Sequence, residues 1–218
     1  VSPRWERVRD VALVIAAVLL LLGVLLRDAR GESIPREALQ YRALLTRAAH
    51  AEWGLDAPTA TFAAQVHQES GWRASARSLV GARGLAQFMP ATQDWWGGQR
   101  PDLGQPDAWN PGWALRGLVS YDRWIWERVR ADTPCDRWAM ALAGYNGGLG
   151  WVRRDQALAG RSGLDASRWW DGVELANAGR SQAAWRENRG YPRRILIVLE
   201  PVYRRAGWGA GVCPGGRL

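Results

Sequence analysis

The chain contains no lysine. All 29 of its basic residues are arginine, set against 21 acids, which leaves a formal net charge of +8 over 218 residues. Histidine and cysteine are scarce, with two of each. His50, His67, Cys135 and Cys213 make no cluster at metal-ligand spacing, so no metal site is expected, and no cofactor either. The two cysteines are too few and too far apart for a zinc knuckle, but in an exported chain they permit one bridge, Cys135 to Cys213, with free buried thiols as the other reading. Period-two alternation of apolar residues is rare, which argues against a mainly β domain, and no internal repeat or low-complexity tract appears. The positive charge favours polyanions: anionic lipid, nucleic acid or an acidic cell-wall polymer. The arginines are scattered and no nucleic-acid-binding motif is visible, so nucleic acid is not expected as a partner.

Long apolar runs are confined to one place. "VALVIAAVLLLLGVLL", residues 11–26, is uncharged, with Arg4, Arg7 and Arg9 before it and Arg27 and Arg30 after. It falls just under the usual span of about 20 residues, which a thin bilayer accepts, and it has the look of a signal peptide too. No clean small-x-small cleavage site follows, so the reading taken is an uncleaved anchor in the lipid bilayer. The denser arginine before the run keeps residues 1–10 in the cytoplasm and exports the rest. The expected organisation is then a cytoplasmic stretch 1–10, a span 11–26, a linker 27–35, a domain 36–205 and a tail 206–218. The localisation this implies is a single pass of the inner membrane with the domain in the periplasm.

The domain reads as helical. Leu39, Leu44, Leu45 and Ala48 predict a helix ending near Gly54, and Asp56 with Pro58 starts a second over 57–69. Gly81, Gly84 and Pro90 break the next stretch into a loop or irregular sheet, followed by a helical turn from about Ala91. A helix is predicted over 112–130, another from Pro134 through Ala143 that stops at "GYNGGLG", and an amphipathic helix in "YPRRILIVLEPVYRRAG".

One carboxylate stands out. Phe62, Val66 and Glu69 share a helix face, which turns Glu69 toward the interior or a cleft wall. Partial burial there raises its pKa and lets it hold a proton near neutrality, as a general acid must. A Ser/His nucleophile from His67 and Ser70 with Glu69 as the third member is geometrically implausible, because Glu69 and His67, two apart on a helix, point away from each other and Ser70 is adjacent in sequence to the acid.

At these residues the sequence resembles a known family. "QESGW", "SARSLVGARGLAQFMPAT", "ALAGYNGG" and "ENRGYPRRI", in that order, are similar to the lytic transglycosylases with a soluble-lytic-transglycosylase, lysozyme-like domain, over roughly residues 36–205. The resemblance implies a mainly α fold, a lysozyme-like α+β domain around a glycan groove. It implies cleavage of peptidoglycan glycan strands between N-acetylmuramic acid and N-acetylglucosamine, with a 1,6-anhydro ring formed in place of hydrolysis. By the same resemblance Glu69 is the catalytic acid and base, and Ser70 supports it or the sugar. Gln87 and Met89 line the groove, Tyr145 and Asn146 face the glycan, and the hydroxyl of Tyr191 points at the catalytic carboxylate. Three departures stand out: Ala86 replaces a frequent Met, Gly144 replaces the usual Ala before Tyr-Asn, and Asn110-Pro111 replaces an Asp-Pro element.

Fifteen tryptophans are many for this length. Trp95, Trp96, Trp109 and Trp113 flank the loop region, where indoles stack on sugars, although core packing is the commoner fate of a Trp. Two rival readings accompany the transglycosylase: a hydrolytic muramidase of goose-type lysozyme kind, and an inactive glycan-binding or scaffold module. The biological role, wall remodelling, an envelope-spanning assembly or phage lysis, is open, as are partners of those kinds.

Overall fold

The computed structural model describes residues 32–213. The predicted span 11–26 lies outside the described residues, and within them no helix is long and apolar enough to cross a membrane. Among the described residues, Ile34 rests against the core and the packing runs to Cys213, on both sides of the expected domain 36–205. Residues 206–213 are an integral strap, with Trp208 and Cys213 both buried.

Helix α1, Ala38–Trp53, presents Ala38, Leu45, Ala48 and Ala49 to the core and stops at Gly54, whose positive φ carries the chain out of the helix. Leu39, expected on the buried face, is exposed. Helix α2, Thr59–Ser70, is the centre of the domain, with every residue from Thr59 to Val66 buried. Its start differs from expectation. Asp56 does not cap it, and Pro58 sits at the boundary with no side-chain cap. One orphan N–H of the first turn, that of Ala60, instead donates to the carbonyl of Ala210 in the strap at 3.0 Å.

Helix α3, Pro90–Gln99, follows the glycine-rich loop. Helix α4, Pro111–Trp126, starts on Asn110, whose side chain accepts from the N–H groups of Gly112 and Trp113. It ends four residues short of the predicted 130. Helix α5, Pro134–Gly147, is capped by Thr133 and runs straight through Tyr145 and Asn146. The predicted stop after Ala143 is wrong for a packing reason: a Cβ on Gly144 would come within 2.9 Å of Ile125, so that glycine permits a close helix crossing and breaks nothing. Helix α6, Leu149–Arg161, leads to α7, Gln182–Arg193, which continues as a π-helical stretch, Arg194–Leu199, and then as α8, Glu200–Arg205. Pro201 stands in the first turn of this last segment.

Around α2 pack α1, α8 and the π-helical stretch, while α5 packs between α4, α6 and α7. The β component is slight. Among the described residues it amounts to isolated antiparallel bridges, Arg77 with Arg83 and Arg83 with Phe88, within the loop before α3. A disulfide joins Cys135, in the first turn of α5, to Cys213, with Cα atoms 4.8 Å apart. Buried Glu200 holds the strap beside it, accepting from Thr61 Oγ1 at 2.6 Å and from the N–H groups of Val212 and Cys213.

Candidate active site

The last turn of α2 opens into a groove of about 430 Å³, lined by Glu69, loop residues Ser78, Val80, Gln87 and Met89, Tyr121 of α4, Tyr145 and Asn146 of α5, and Glu187 of α7. Four helices and one loop thus meet around Glu69. The surface of Glu69 is only partly covered, but its carboxyl group is packed round by protein. Burial is the main reason that its pKa rises from 4.5 to about 8; the hydrogen bond from Tyr191 opposes the rise and the nearby Glu187 carboxylate adds to it. At neutral pH the group therefore holds its proton.

Tyr191 Oη donates to Glu69 Oε1. The same burial, with the Glu69 charge next in weight, pushes the phenols of Tyr191 and Tyr145 well above their ordinary range, so both remain hydrogen-bond donors. Tyr145 spends its hydroxyl on the carbonyl of Ala86 at 2.7 Å, which ties the loop to α5. Its ring meets Tyr121 and Phe88, giving the groove an aromatic wall.

The loop is built by its glycines and by Gln87. Gly84 has φ +71°, and a Cβ there would fall 1.8 Å from the carbonyl oxygen of Ala108. Gln87, itself at φ +49°, lines the groove while its Nε2 donates to the carbonyls of Ala76 and Gly84. Asn146 accepts from Asn188 Nδ2 at 3.0 Å through its Oδ1, leaving its own amide N–H groups for the groove.

Of the residues expected at the site, Glu69, Gln87, Met89, Tyr145, Asn146 and Tyr191 come together. Ser70 does not face the groove. It is buried, and its hydroxyl donates to the carbonyl of Leu85 at 2.9 Å, fastening the loop from behind. His67 turns to the other side of α2, where Nδ1 lies 3.1 Å from Tyr203 Oη. Trp96 and Trp113 are core residues, whereas Trp95 and Trp109 are about 40 % exposed but are not among the groove-lining side chains. No group of three or more His, Cys, Asp or Glu able to hold a metal occurs among the described residues.

Sequence reasoning missed two acids. Glu187 stands four residues before Tyr191, hence on the same face of α7, and this spacing was the available signal. Asp122 is fully buried on the apolar face of α4, where a carboxylate among Leu118, Val119 and Ile125 was the sign.

A membrane-bound lytic murein transglycosylase F from Maricaulis maris (strain MCS10) is 34% identical over 140 residues, which cover 62% of this chain and 28% of that protein. Another of the same name from Hahella chejuensis (strain KCTC 2396) is 35% identical over 140 residues, 63% of this chain and 25% of that one. The chain therefore spans about a quarter of the length of these relatives. Among solved structures, the 70 kDa soluble lytic transglycosylase SLT70 of Escherichia coli shares the fold, with a TM-score of 0.56 at 22% identity over 78% of this chain and 25% of that one. The family model described as the transglycosylase SLT domain matches residues 45–166, more than half of the chain, which belongs to that family.

Proposed function

We propose that the protein is a murein lytic transglycosylase, cleaving peptidoglycan between N-acetylmuramic acid and N-acetylglucosamine with formation of a 1,6-anhydromuramic end. The observation that carries this reading is the Tyr191–Glu69 pair: one carboxyl in the groove floor, held by a phenol and protonated near pH 7. A group so placed can give its proton to the bridging glycosidic oxygen. As that bond breaks, the carbonyl oxygen of the 2-acetamido group attacks the anomeric carbon, which removes the need for a carboxylate nucleophile. Glu69, now a carboxylate, takes the proton of the muramic 6-hydroxyl, and that oxygen displaces the acetamido oxygen to close the anhydro ring. That same proton regenerates the acid. Gln87 and the Asn146 amide would hold the glycan in register, with Tyr121 and Phe88 as an apolar wall beneath it.

A hydrolytic outcome is the second reading, and Glu187 is the observation that favours it. An exposed carboxylate lining the same groove is positioned to activate water. A binding-only module is disfavoured, since binding alone gives no reason to bury a lone acid against a phenol. Digestion of purified sacculi followed by mass analysis of the muropeptides separates the readings. Anhydromuramic ends, lost by at least about 100-fold on Glu69→Gln, are expected. Reducing muramic ends that vanish on Glu187→Gln would establish the hydrolase instead.

The reading extends to place. Residues 11–26 are proposed as a single-pass anchor with the groove on the periplasmic side, supported by the arginine asymmetry and by the "membrane-bound" names of the relatives. A reporter fused after residue 218 and active only outside the cytoplasm should be active; a silent one would refute this topology.

A further inference from the structure

Behind Glu69 lies a second polar pair that the reaction above does not use. Gln65 and Asp122 are both fully buried, and Gln65 Nε2 donates to Asp122 Oδ1 at 3.3 Å across the α2–α4 contact. The two remaining oxygens, Gln65 Oε1 and Asp122 Oδ2, have no partner among the described residues. Buried polar atoms without partners are costly, and two in one contact call for an explanation. An ionised Asp122 leaves both of these buried acceptors in want of a donor. One proton on Oδ2 supplies it. A primary amide carries its donor and acceptor in one plane, as a carboxylic acid does, so once Nε2 meets Oδ1 the protonated Oδ2 has Oε1 as its acceptor.

We propose that Gln65 and Asp122 form a neutral acid–amide pair sharing one proton, and that Asp122 is thereby a positioning residue that backs the Glu69 turn without adding charge to the site. Gln65 lies one helical turn before Glu69 on the same face of α2, so the pair pins that turn against α4. Burial, the dominant cause, and next the Glu69 charge beyond it push Asp122 well above the carboxylate range, against the lowering effect of the Gln65 bond. Among the described residues the ionisable groups acting around the pair are Glu69, Tyr121, Tyr145 and Tyr191, with Glu187 acting on Glu69. All are acids or phenols, so the site tolerates one negative charge poorly and two worse. Keeping Asp122 neutral reserves that single charge for Glu69 when it has given up its proton.

The link to catalysis rests on Glu69 as acid and base; the protonation of Asp122 does not. Carboxyl-carbon NMR on the full-length oxidised protein reads both groups without substrate. Asp122 should keep a protonated-acid signal at pH 7 and across the Glu69 midpoint, and Asp122→Asn should leave that midpoint in place, because one neutral group replaces another. An ionised Asp122 at pH 7, or a lowered Glu69 midpoint in Asp122→Asn, overturns the proposal. Gln65→Glu puts two carboxyls in the pair and should move the Glu69 midpoint up by about one unit. Adding Asp122→Asn to it rebuilds an acid–amide pair with the roles exchanged and should restore the midpoint; a double variant that stays shifted refutes the pair as the unit. If muropeptide products are missing while these signals hold, the fault lies with the functional reading and not with the pair.

Discussion

Glu69→Gln should abolish activity and at the same time stabilise the fold, and the gain should carry a pH signature. The carboxyl titrates at about 8 when folded, against 4.5 ordinarily, because burial disfavours its charge. Between those values the folded state binds the proton more tightly than the unfolded state, so stability falls as pH rises through this window. Below about 4.5 both states are protonated and there is no penalty. At pH 7 the penalty amounts to about 3 kcal/mol, from about 1.4 kcal/mol per unit over roughly 2.5 units. Partial wetting of the side chain makes this a ceiling. Glutamine keeps the shape, offers a carbonyl to Tyr191 Oη and has no charge to bury. In a domain of this size each kcal/mol moves Tm by about 2–4 °C, so the variant should melt up to about 10 °C higher at pH 7 and level with the parent at pH 4. Circular-dichroism melts at the two pH values decide it. An equal gap at both, or a less stable glutamine variant at pH 7, would show that Glu69 does not carry a buried-acid penalty.

Tyr191→Phe removes the bond that opposes the rise of Glu69, so the pH midpoint for activity should climb above that of the parent; a lowered or unmoved midpoint contradicts the assigned donor. Replacing Cys135 and Cys213 by Ser frees a 78-residue separation and should cost about 4–5 kcal/mol in denaturant unfolding, whereas a loss below about 1 kcal/mol would show the strap to be held without the bridge. Gly84→Ala forces a Cβ onto the Ala108 carbonyl from a left-handed backbone, so the loop must shift. A loss of about 1–3 kcal/mol for the backbone conformation alone is expected, with a raised KM because Gln87 loses its anchor; native stability and KM would count against the loop geometry.

What could be read without coordinates followed the strength of the local signal. Glu69 was legible because Phe62 and Val66 fix its face, and the glycine-rich loop because Gly81, Gly84 and Pro90 can hardly be anything else. Gly144 and Gly147 misled, since a glycine needed for a tight contact looks in sequence like one that ends a helix. A Cβ on Gly147 would meet Arg180 and Asn188 at 2.7 Å, contacts from 33 or more residues away. Helix α7 went unread ahead of Tyr191 because Gln182 to Gly190 holds few apolar residues, although Ser181 caps it. Gln65 and Asp122 were invisible as a pair, because only the α2–α4 crossing brings them together. Ser70 was expected by resemblance to support Glu69 or the sugar; one residue further round the helix than Glu69, it binds the Leu85 carbonyl behind the loop.

The helix that carries Glu69 receives its neighbours late. Thr61 of α2 bonds Glu200, 139 residues further on, the N–H of Ala60 waits for Ala210, and Glu69 itself for Tyr191. Contacts of such separation cannot form until the ribosome has delivered residues 191 to 210. Until then Glu69 stays in water with an ordinary carboxylate pKa, ionised and useless as a proton donor at neutral pH. Only a chain grown past Tyr191 and Ala210 has an acid.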